Sequence, residues 1–312
     1  TSNIANANPT DFLYTDRIEF GETNNYQKVN LVTLIQDAVF IYPERTGSPN
    51  NYTYEQINLG TNTEPANITG TNLSETDAIN GNELHWTNTK PYVIYGFAKI
   101  PETKTLIIDP GTRVHFHADS GLIVAANAHL QVNGALSTTD DLENEVIFEG
   151  DRLEPDYSEV PGQWLAVLFM NGSNQNIIKN LTIKNATVGM LVLGNDGTTT
   201  PTIDMMNVQI YNCANVGILA RTGNITGKNV VINYCGQASL ACTYGGSYDF
   251  THCTFTNYWN SPSQTSLVLT NENISSTVQT SLTQANFKNC IFYGSSNYGI
   301  ALEKTGAIFN YK

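Results

Sequence analysis

The chain has 312 residues, with 15 Lys and Arg against 28 Asp and Glu, so its formal net charge at pH 7 is −13. Such an acidic surface makes nucleic acid an unfavourable partner. Only 14% of the residues are charged, and no apolar run has the length of a membrane span. The first residues contain neither Met nor a signal peptide, and we expect a mature or trimmed protein.

The N-terminal part predicts two strands and a short third run. Residues 11–20 and 29–35 flank a turn-rich segment at 21–25, and a third apolar run at 38–42 ends at Pro43. Two or three strands do not form an independently stable domain. We therefore interpret residues 1–43 as the last strands of an incomplete β-sandwich.

Residues 44–90 are rich in Asn, Thr, Gly and Pro, which indicates a long exposed connector or insertion. Beyond them, short apolar runs alternate with turn signals, and no stretch has a sustained helical period. The strand candidates lie at 92–95, 105–108, 113–116, 121–124, 130–132 and 146–148.

A short motif recurs after residue 180 with a basic period of about 22 residues, which is typical of a solenoid. It starts with Asn or His, and its second and fourth positions are apolar, as expected of strands that point alternate residues inward. The starts are Asn180, Asn207, Asn229, His252 and Asn289, and the fourth positions are Ile183, Ile210, Ile232, Phe255 and Phe292.

A second strand follows each motif, and a third, weaker one appears between repeats. Three short strands per turn of the chain predict a parallel β-helix over residues 91–312. Equivalent residues of neighbouring coils would then stack about 4.8 Å apart. We expect the fourth positions to form one buried stack.

The five cysteines allow two interpretations. Cys213 and Cys235 follow two motif starts at the same offset, so they should stack at a distance compatible with a disulfide, and Cys253 and Cys290 share one inward position. The alternative is that all five are buried thiols, which the odd count favours.

One excursion from the predicted strands, residues 149–164, is rich in ionisable and aromatic side chains. It could hold Ca²⁺ through carboxylates or bind a glycan through its rings, but the same residues could also pair with one another while Trp164 fills the core. The binding candidates here are Asp151, Arg152, Glu154, Asp156, Tyr157 and Trp164, and the metal candidates are Asp151, Glu154, Asp156 and Glu159.

Two other groups of acids and histidines are candidate sites. His115 and His117 share one face of a strand and could hold a metal with Asp119, although a solvated strand face is the simpler interpretation. Acids in the regular repeats do not occupy one register position on adjacent coils, which argues against a catalytic groove there. They are Asp196, Asp204, Asp249, Glu272 and Glu303.

The second strand of every repeat has an apolar residue at a position that should face outward. Leu191, Leu219 and Val268 belong to this stripe, together with two alanines. An apolar stripe on an outer face indicates a partner-binding surface or a face covered by the chain's own loop, such as the insertion at 271–283.

Several motifs resemble a family of uncharacterised surface lipoproteins of Gram-negative bacteria. They are YVIYG at 92–96, PGTRVHFH at 110–117, VNG at 132–134, FEGDRLEP at 148–155, PGQW at 161–164 and GGSYDFTHC at 245–253. The resemblance implies an immunoglobulin-like domain followed by a right-handed parallel β-helix of the pectin-lyase-like type. It also implies an outer-membrane or secreted location. The lipid-bearing Cys that would anchor such a protein is absent from this chain.

Two classes of function follow. We expect a non-catalytic cell-surface scaffold or binding protein that docks to another outer-membrane or surface protein or to a glycan, without a cofactor other than a possible Ca²⁺. The alternative is a polysaccharide lyase or glycoside hydrolase. Fold class alone does not decide between them, whereas a groove with converging acids and a Lys or Arg would favour the enzyme.

Overall fold

A computed structural model of the chain describes residues 4–5, 11–21, 27–60, 63–259, 264–271, 280–296 and 298–312. For residues 4–5, 11–16 and 31–36 it describes the backbone alone. The chain forms two compact units, Thr1–Val39 and Phe40–Lys312. Among the described residues, no helix has the length and apolar character to cross a bilayer.

The described part of the first unit is a three-stranded antiparallel sheet. Strands β2 and β3 pair along their whole length, with Phe20 opposite Gln27 and Asp11 opposite Gln36. The sequence therefore predicted both strands, while most of their connecting turn lies outside the described residues. The strands are β1 (Ile4–Ala5), β2 (Asp11–Phe20) and β3 (Gln27–Gln36).

The second unit is nearly all β and contains long parallel sheets. Its first half, together with β4 at the junction of the units, has the strands β4 (Val39–Ile41), β5 (Arg45–Ser48), β6 (Asn51–Tyr54), β7 (Gln56–Asn58), β8 (Asn67–Asn72), β9 (His85–Trp86), β10 (Tyr92–Ile94), β11 (Phe97–Ile100), β12 (Thr105–Ile108), β13 (Arg113–Phe116), β14 (Gly121–Val124), β15 (His129–Asn133) and β16 (Val146–Gly150).

The second half begins after a 3-10 turn, Pro155–Tyr157. Its strands are β17 (Ala166–Phe169), β18 (Asn176–Lys184), β19 (Val188–Val192), β20 (Ile203–Cys213), β21 (Val216–Arg221), β22 (Asn224–Cys235), β23 (Ala238–Thr243), β24 (Gly246–Thr251), β25 (Thr254–Asn257), β26 (Thr265–Thr270), β27 (Leu282–Lys288), β28 (Ile291–Gly294) and β29 (Ile300–Glu303).

Parallel pairing arranges these strands in three rows, each ordered as in the sequence. The first row contains β9, β12, β15, the N-terminal parts of β18, β20 and β22, and then β24 and β27. The second row contains β10, β13, β16, the C-terminal parts of β18, β20 and β22, and then β25 and β28. The third row runs from β8 through β11, β14, β17, β19, β21, β23 and β26 to β29. This architecture is consistent with a parallel β-helix.

Parallel pairing also includes part of the segment that the sequence assigned to a connector. Strand β8 pairs in parallel with β11, and β9 pairs with β12. Ile57 and Trp86 are buried there, so isolated apolar residues suffice for the core of this region. The composition did not predict these strands, because their remaining residues are polar and their pairing is made by backbone atoms.

The first residue of each repeat lies at the corner between the first and second rows and has a positive φ. Asn tolerates this left-handed conformation better than most residues do. The side-chain amide of Asn207 donates to Asn180 Oδ1 at 3.0 Å, and that of Asn229 donates to Asn207 Oδ1 at 2.8 Å. The five φ values are 48° for Asn180, 57° for Asn207, 56° for Asn229, 58° for His252 and 53° for Asn289.

The predicted inward stack follows directly after these corners. Ile183 pairs with Ile210, Ile210 with Ile232, Ile232 with Phe255, and Phe255 with Phe292. The first four are fully buried, while Phe292, in β28, is half-buried and stacks on Phe255 at 5.3 Å between ring centroids. The core therefore lies on the inner side of the second row.

All five cysteines are unbridged. Cys213 and Cys235 are in register on β20 and β22, as the repeat predicted. Burial raises the pKa of Cys253 to about 11, and its sulfur lies 3.4 Å from the N–H of Val230. Cys213, Cys235, Cys242 and Cys253 are buried, as expected of small core residues, whereas Cys290 is half-buried.

We expect Asn207→Val to lower the free energy of unfolding by about 2 kcal/mol, because a β-branched residue is strained at positive φ and both amide hydrogen bonds are lost. Asn207→Gly tolerates the same φ and should cost less. Urea denaturation of both variants measures the difference. Equal losses for Val and Gly would contradict the role of the left-handed corner.

Candidate functional site

The excursion that the sequence singled out is folded against the adjacent strands. Gln163 Nε2 donates to the carbonyl oxygens of Tyr157 at 2.6 Å and Val160 at 2.8 Å. Asn185, at the end of β18, donates through Nδ2 to the Ser158 carbonyl at 2.9 Å. Hydrogen bonds to Gln163 and Asn185 thus hold the excursion in place, and it extends toward β18 and β20.

Three of the predicted binding residues contact one another. The guanidinium of Arg152 donates to both carboxylate oxygens of Glu154 at 3.0–3.2 Å and lies 3.7 Å from the centre of the Tyr157 ring. The hydrogen bond from Arg152 lowers the pKa of Glu154. These three side chains bind one another, which is the alternative to a ligand site that the sequence left open.

Trp164 is unavailable to a ligand, contrary to its selection as a binding residue. It is only 1% exposed, and its ring stacks on Phe116 with centroids 4.2 Å apart. Its Nε1 donates to the Lys184 carbonyl at 3.0 Å. An aromatic ring that enters the strand stack from a polar loop fills the core, because burial of its large apolar surface is favourable.

The predicted metal ligands do not converge. The Asp151 carboxylate accepts from His117 Nδ1 at 2.7 Å, Glu154 is bound by Arg152, and Asp156 is exposed in the 3-10 turn. Within the described ranges, no group of three or more His, Cys, Asp or Glu side chains could hold a metal ion.

His115 in β13 and His117, which directly follows that strand, each face an acid at the start of the excursion. His117 stacks on Tyr95 at 4.4 Å in addition to its contact with Asp151. His115 is buried, and its Nδ1 lies 3.6 Å from Glu149 Oε1 without a hydrogen-bond partner among the described residues. The histidines therefore contact carboxylates and not a common metal site with Asp119.

The ion pair between Glu149 and Lys184 was not anticipated from the sequence. Their Oε2 and Nζ atoms are 2.6 Å apart, and both side chains are about one-fifth exposed. The two residues are separated in sequence by the whole excursion, so no local motif marked them. Parallel pairing of β16 with β18 places them on adjacent strands.

These residues belong to one outward ladder of the second row. His115 pairs with Glu149, and Lys184 pairs with Tyr211, which in turn pairs with Asn233. Side chains on one face of successive parallel strands lie about 4.8 Å apart. The ladder therefore forms a continuous polar strip, which we call the polar ladder: His115, Glu149, Lys184, Tyr211 and Asn233.

The charges of the polar ladder are mutually balanced. Burial opposes the charge of Lys184, but the hydrogen bond and charge of Glu149 outweigh it and raise the Lys184 pKa. Burial, with added contributions from Glu159 and Glu149, raises the pKa of Tyr211. Burial also lowers the pKa of His115, despite the opposing effect of Glu149. At neutral pH, Lys184 is charged while Tyr211 and His115 are neutral.

A cavity of about 500 Å³ opens beside the polar ladder. The excursion contributes Glu159, and strands β20 and β22 contribute polar and aromatic side chains. We call this cavity and the adjoining polar ladder the outer groove. The cavity is lined by Glu159, Gln209, Ile210, Tyr211, Asn212, Val231, Asn233 and Tyr234.

The apolar stripe lies in register on the third row, as the repeat predicted. Leu191 pairs with Leu219, and Val268 pairs with Ala241 and Ala301. All three larger residues of the stripe are half-buried. Leu191 packs against the buried cluster of Ile57, Ile123 and Leu168, and Leu219 and Val268 pack against Val216, Ala238 and Ala241.

Much of the stripe is thus already in contact with other side chains of the unit. The alternative that the insertion at 271–283 covers the rest of the stripe stays a prediction. Residues 272–279 of this insertion lie outside the described part of the chain.

Two of the acids in the regular repeats lie on one outward ladder of the first row. Asp204 and Asp249 are separated there by Thr226, which donates to Asp204. Asp249 is paired with Lys288 at 3.0 Å. These acids therefore occupy alternate strands and are bound by neighbours.

Comparisons of the chain with protein-family models, with curated proteins and with solved structures found no match. The candidate site consequently depends on the geometry of the outer groove.

We expect Lys184→Met to lower the free energy of unfolding by about 1–3 kcal/mol at pH 7, because the partly buried Glu149 carboxylate loses its partner. The folded protein holds the Lys184 proton more tightly than the unfolded chain, since its pKa is raised above 10.5. This stabilisation should be complete below pH 10.5 and should disappear as the pH rises through the folded pKa.

Chemical denaturation of wild type and variant across this pH range measures both effects. The pair Lys104–Glu75 has the same 2.6 Å separation with both side chains exposed, so Lys104→Met serves as the matched control. It should cost less than about 1 kcal/mol, because solvent screens an exposed ion pair. Similar losses for the two variants would contradict the importance of burial at Glu149.

Proposed function

We propose that this protein is a non-catalytic binding scaffold whose outer groove binds a glycan. In this proposal the second unit is a right-handed parallel β-helix with three strands in each coil. The three rows of parallel strands support this geometry, and βαβ-like parallel crossovers are right-handed in nearly all known sheets. The antiparallel strands of the first unit would be the end of an immunoglobulin-like sandwich.

The observation that carries the proposal is the chemistry of the cavity lining. Gln209 and Tyr211 make no side-chain hydrogen bonds to other described residues, and Glu159 makes neither a hydrogen bond nor an ion pair there. Asn233 uses its Oδ1 for the Tyr234 N–H, which leaves its Nδ2 available. A site with several unfilled donors and acceptors beside an aromatic ring matches the alternating hydroxyl groups and apolar faces of sugars.

The charge states in the outer groove argue for binding without turnover. Lys184 and Tyr211 both hold their protons at neutral pH, so neither supplies a general base. His115 is neutral but buried behind Glu149. The carboxylate of Glu149 is neutralised by Lys184 at 2.6 Å. The outer groove therefore has two acids and a Lys, but Glu149 and Lys184 are committed to each other, and Glu159 alone has no ion pair among the described residues.

The partner class and location are part of the proposal and are supported by the resemblance and by the composition. We place the protein on the extracellular face of the outer membrane or in the secreted fraction, where glycans are abundant. Few charges and many Asn, Thr and Ser residues support an extracellular setting. Docking of another surface protein on the apolar stripe is less favoured, because Leu191, Leu219 and Val268 already pack against neighbouring side chains.

Isothermal titration with a panel of neutral and acidic oligosaccharides tests the proposal. We expect saturable binding and no release of reducing or unsaturated ends on prolonged incubation. Tyr211→Phe should weaken binding about fivefold, because it removes a single hydroxyl group from the cavity. Tyr54→Phe, a substitution at an exposed tyrosine of β6, is the control and should leave affinity unchanged.

Two results would contradict the proposal. Product release that depends on Glu149 or Glu159 would make the protein an enzyme, which is the alternative class. Absence of binding to every glycan of the panel would remove the glycan as ligand.

A further inference from the structure

Exposed aromatic side chains continue the outer groove beyond its cavity. Tyr234, which lines the cavity, is 44% exposed and lies 5.3 Å from the Trp259 ring. Tyr258 and Tyr293 form a second pair with centroids 5.9 Å apart, and they are 48% and 60% exposed. We call these four residues the aromatic patch: Tyr234, Trp259, Tyr258 and Tyr293.

Tyr234 and Tyr293 lie on strands of the same row as the polar ladder, and Tyr258 and Trp259 directly follow β25 of that row. Tyr211 pairs with Asn233 on the next strand, and Tyr293 pairs with Thr256. Asn233 and Thr256 are neighbours by the same register, since Ile232 pairs with Phe255. Three strand spacings therefore separate Tyr211 from Tyr293, which corresponds to about 14 Å.

Three of the four rings, those of Tyr234, Tyr258 and Tyr293, are exposed along one strip of the surface, which favours a ligand there. A ring face stacks on the apolar face of a sugar, and Tyr and Trp are suited to surfaces where one side is apolar and the other wet. The two pairs are tilted, at 55° and 56° between ring planes, and each ring carries a hydroxyl or an indole N–H that can hydrogen-bond a ligand. The strip thus offers stacking beside hydrogen bonding over several sugar units.

The charges around the strip select against an anionic chain. Among the described residues, Lys184 is neutralised by Glu149 and Arg152 by Glu154. The guanidinium of Arg113 donates to backbone carbonyl oxygens. The cavity wall carries the carboxylate of Glu159, which has no ion pair there. The whole chain has a net charge of −13. A uronate or sulfated sugar would meet this negative potential without a free Lys or Arg to receive it.

We infer that the outer groove and the aromatic patch together bind an uncharged, extended oligosaccharide that lies along the direction in which the strands stack. This inference rests on the proposed function and specifies its ligand class: a neutral polymer long enough to contact the cavity and the aromatic patch at once. A short ligand reaches the cavity alone, so affinity must increase with chain length.

Isothermal titration with neutral β-linked oligosaccharides of two and six units, and with oligogalacturonate of six units, tests the inference. We expect the neutral hexamer to bind at least about tenfold more tightly than the dimer, and oligogalacturonate to bind more weakly than the neutral hexamer. Tyr293→Ala should weaken hexamer binding about fivefold to tenfold and leave dimer binding unchanged.

Tyr42→Ala is the matched control, because Tyr42 is 52% exposed and lies outside the aromatic patch. It should alter neither affinity. Circular dichroism of each variant establishes that the fold is retained, and Tyr293→Phe, which keeps the ring, should restore most of the hexamer affinity.

The outcomes separate the inference from the proposed function. If glycans bind and Tyr211→Phe weakens them, but Tyr293→Ala has no effect or the anionic hexamer binds best, the inference is overturned while glycan binding stands. If no oligosaccharide binds at all, the proposed function fails and the inference fails with it.

Discussion

Parallel backbone hydrogen bonding in one constant register is the constraint on which the rest of the second unit depends. A shift of one residue between neighbouring strands would turn Ile210 toward solvent and Lys184 or Tyr211 toward the core. Left-handed corners oppose such a shift, because Asn180, Asn207 and Asn229 must align for their amides to bond one another. The apolar stack and the hydrogen-bonded asparagines at the corners therefore enforce the same alignment of neighbouring strands.

The outer groove is a consequence of that register. Glu149 and Lys184 are far apart in sequence but occupy adjacent strands, and their side chains meet because both point outward from the second row. The excursion between them does not form a site by itself. Its own charged residues, such as Arg152 and Glu154, bind one another, while Glu159 at its far end forms a wall of the cavity.

In the proposed function, this distribution of charge supports recognition and not reaction. Opposite charges in the polar ladder are paired, and partial burial keeps Tyr211 protonated and His115 neutral. What remains available at the surface is a set of hydroxyl, amide and carboxylate groups next to exposed rings. Such a surface can hold a ligand through many weak contacts on a rigid backbone, and the stack of strands extends it along one direction.

Repetition in the sequence was sufficient to predict the parallel strands, their register and the inward stack, because period-two alternation and a recurring Asn are local signals. It did not reveal β8 and β9, whose pairing is made by backbone atoms and needs few apolar residues. The importance of Asp151 and Trp164 was inferred from their proximity in sequence, whereas Asp151 faces His117 and Trp164 enters the core. Tertiary structure alone decided which side chains meet across strands, since Glu149, Lys184 and Tyr211 come together only when the chain is stacked.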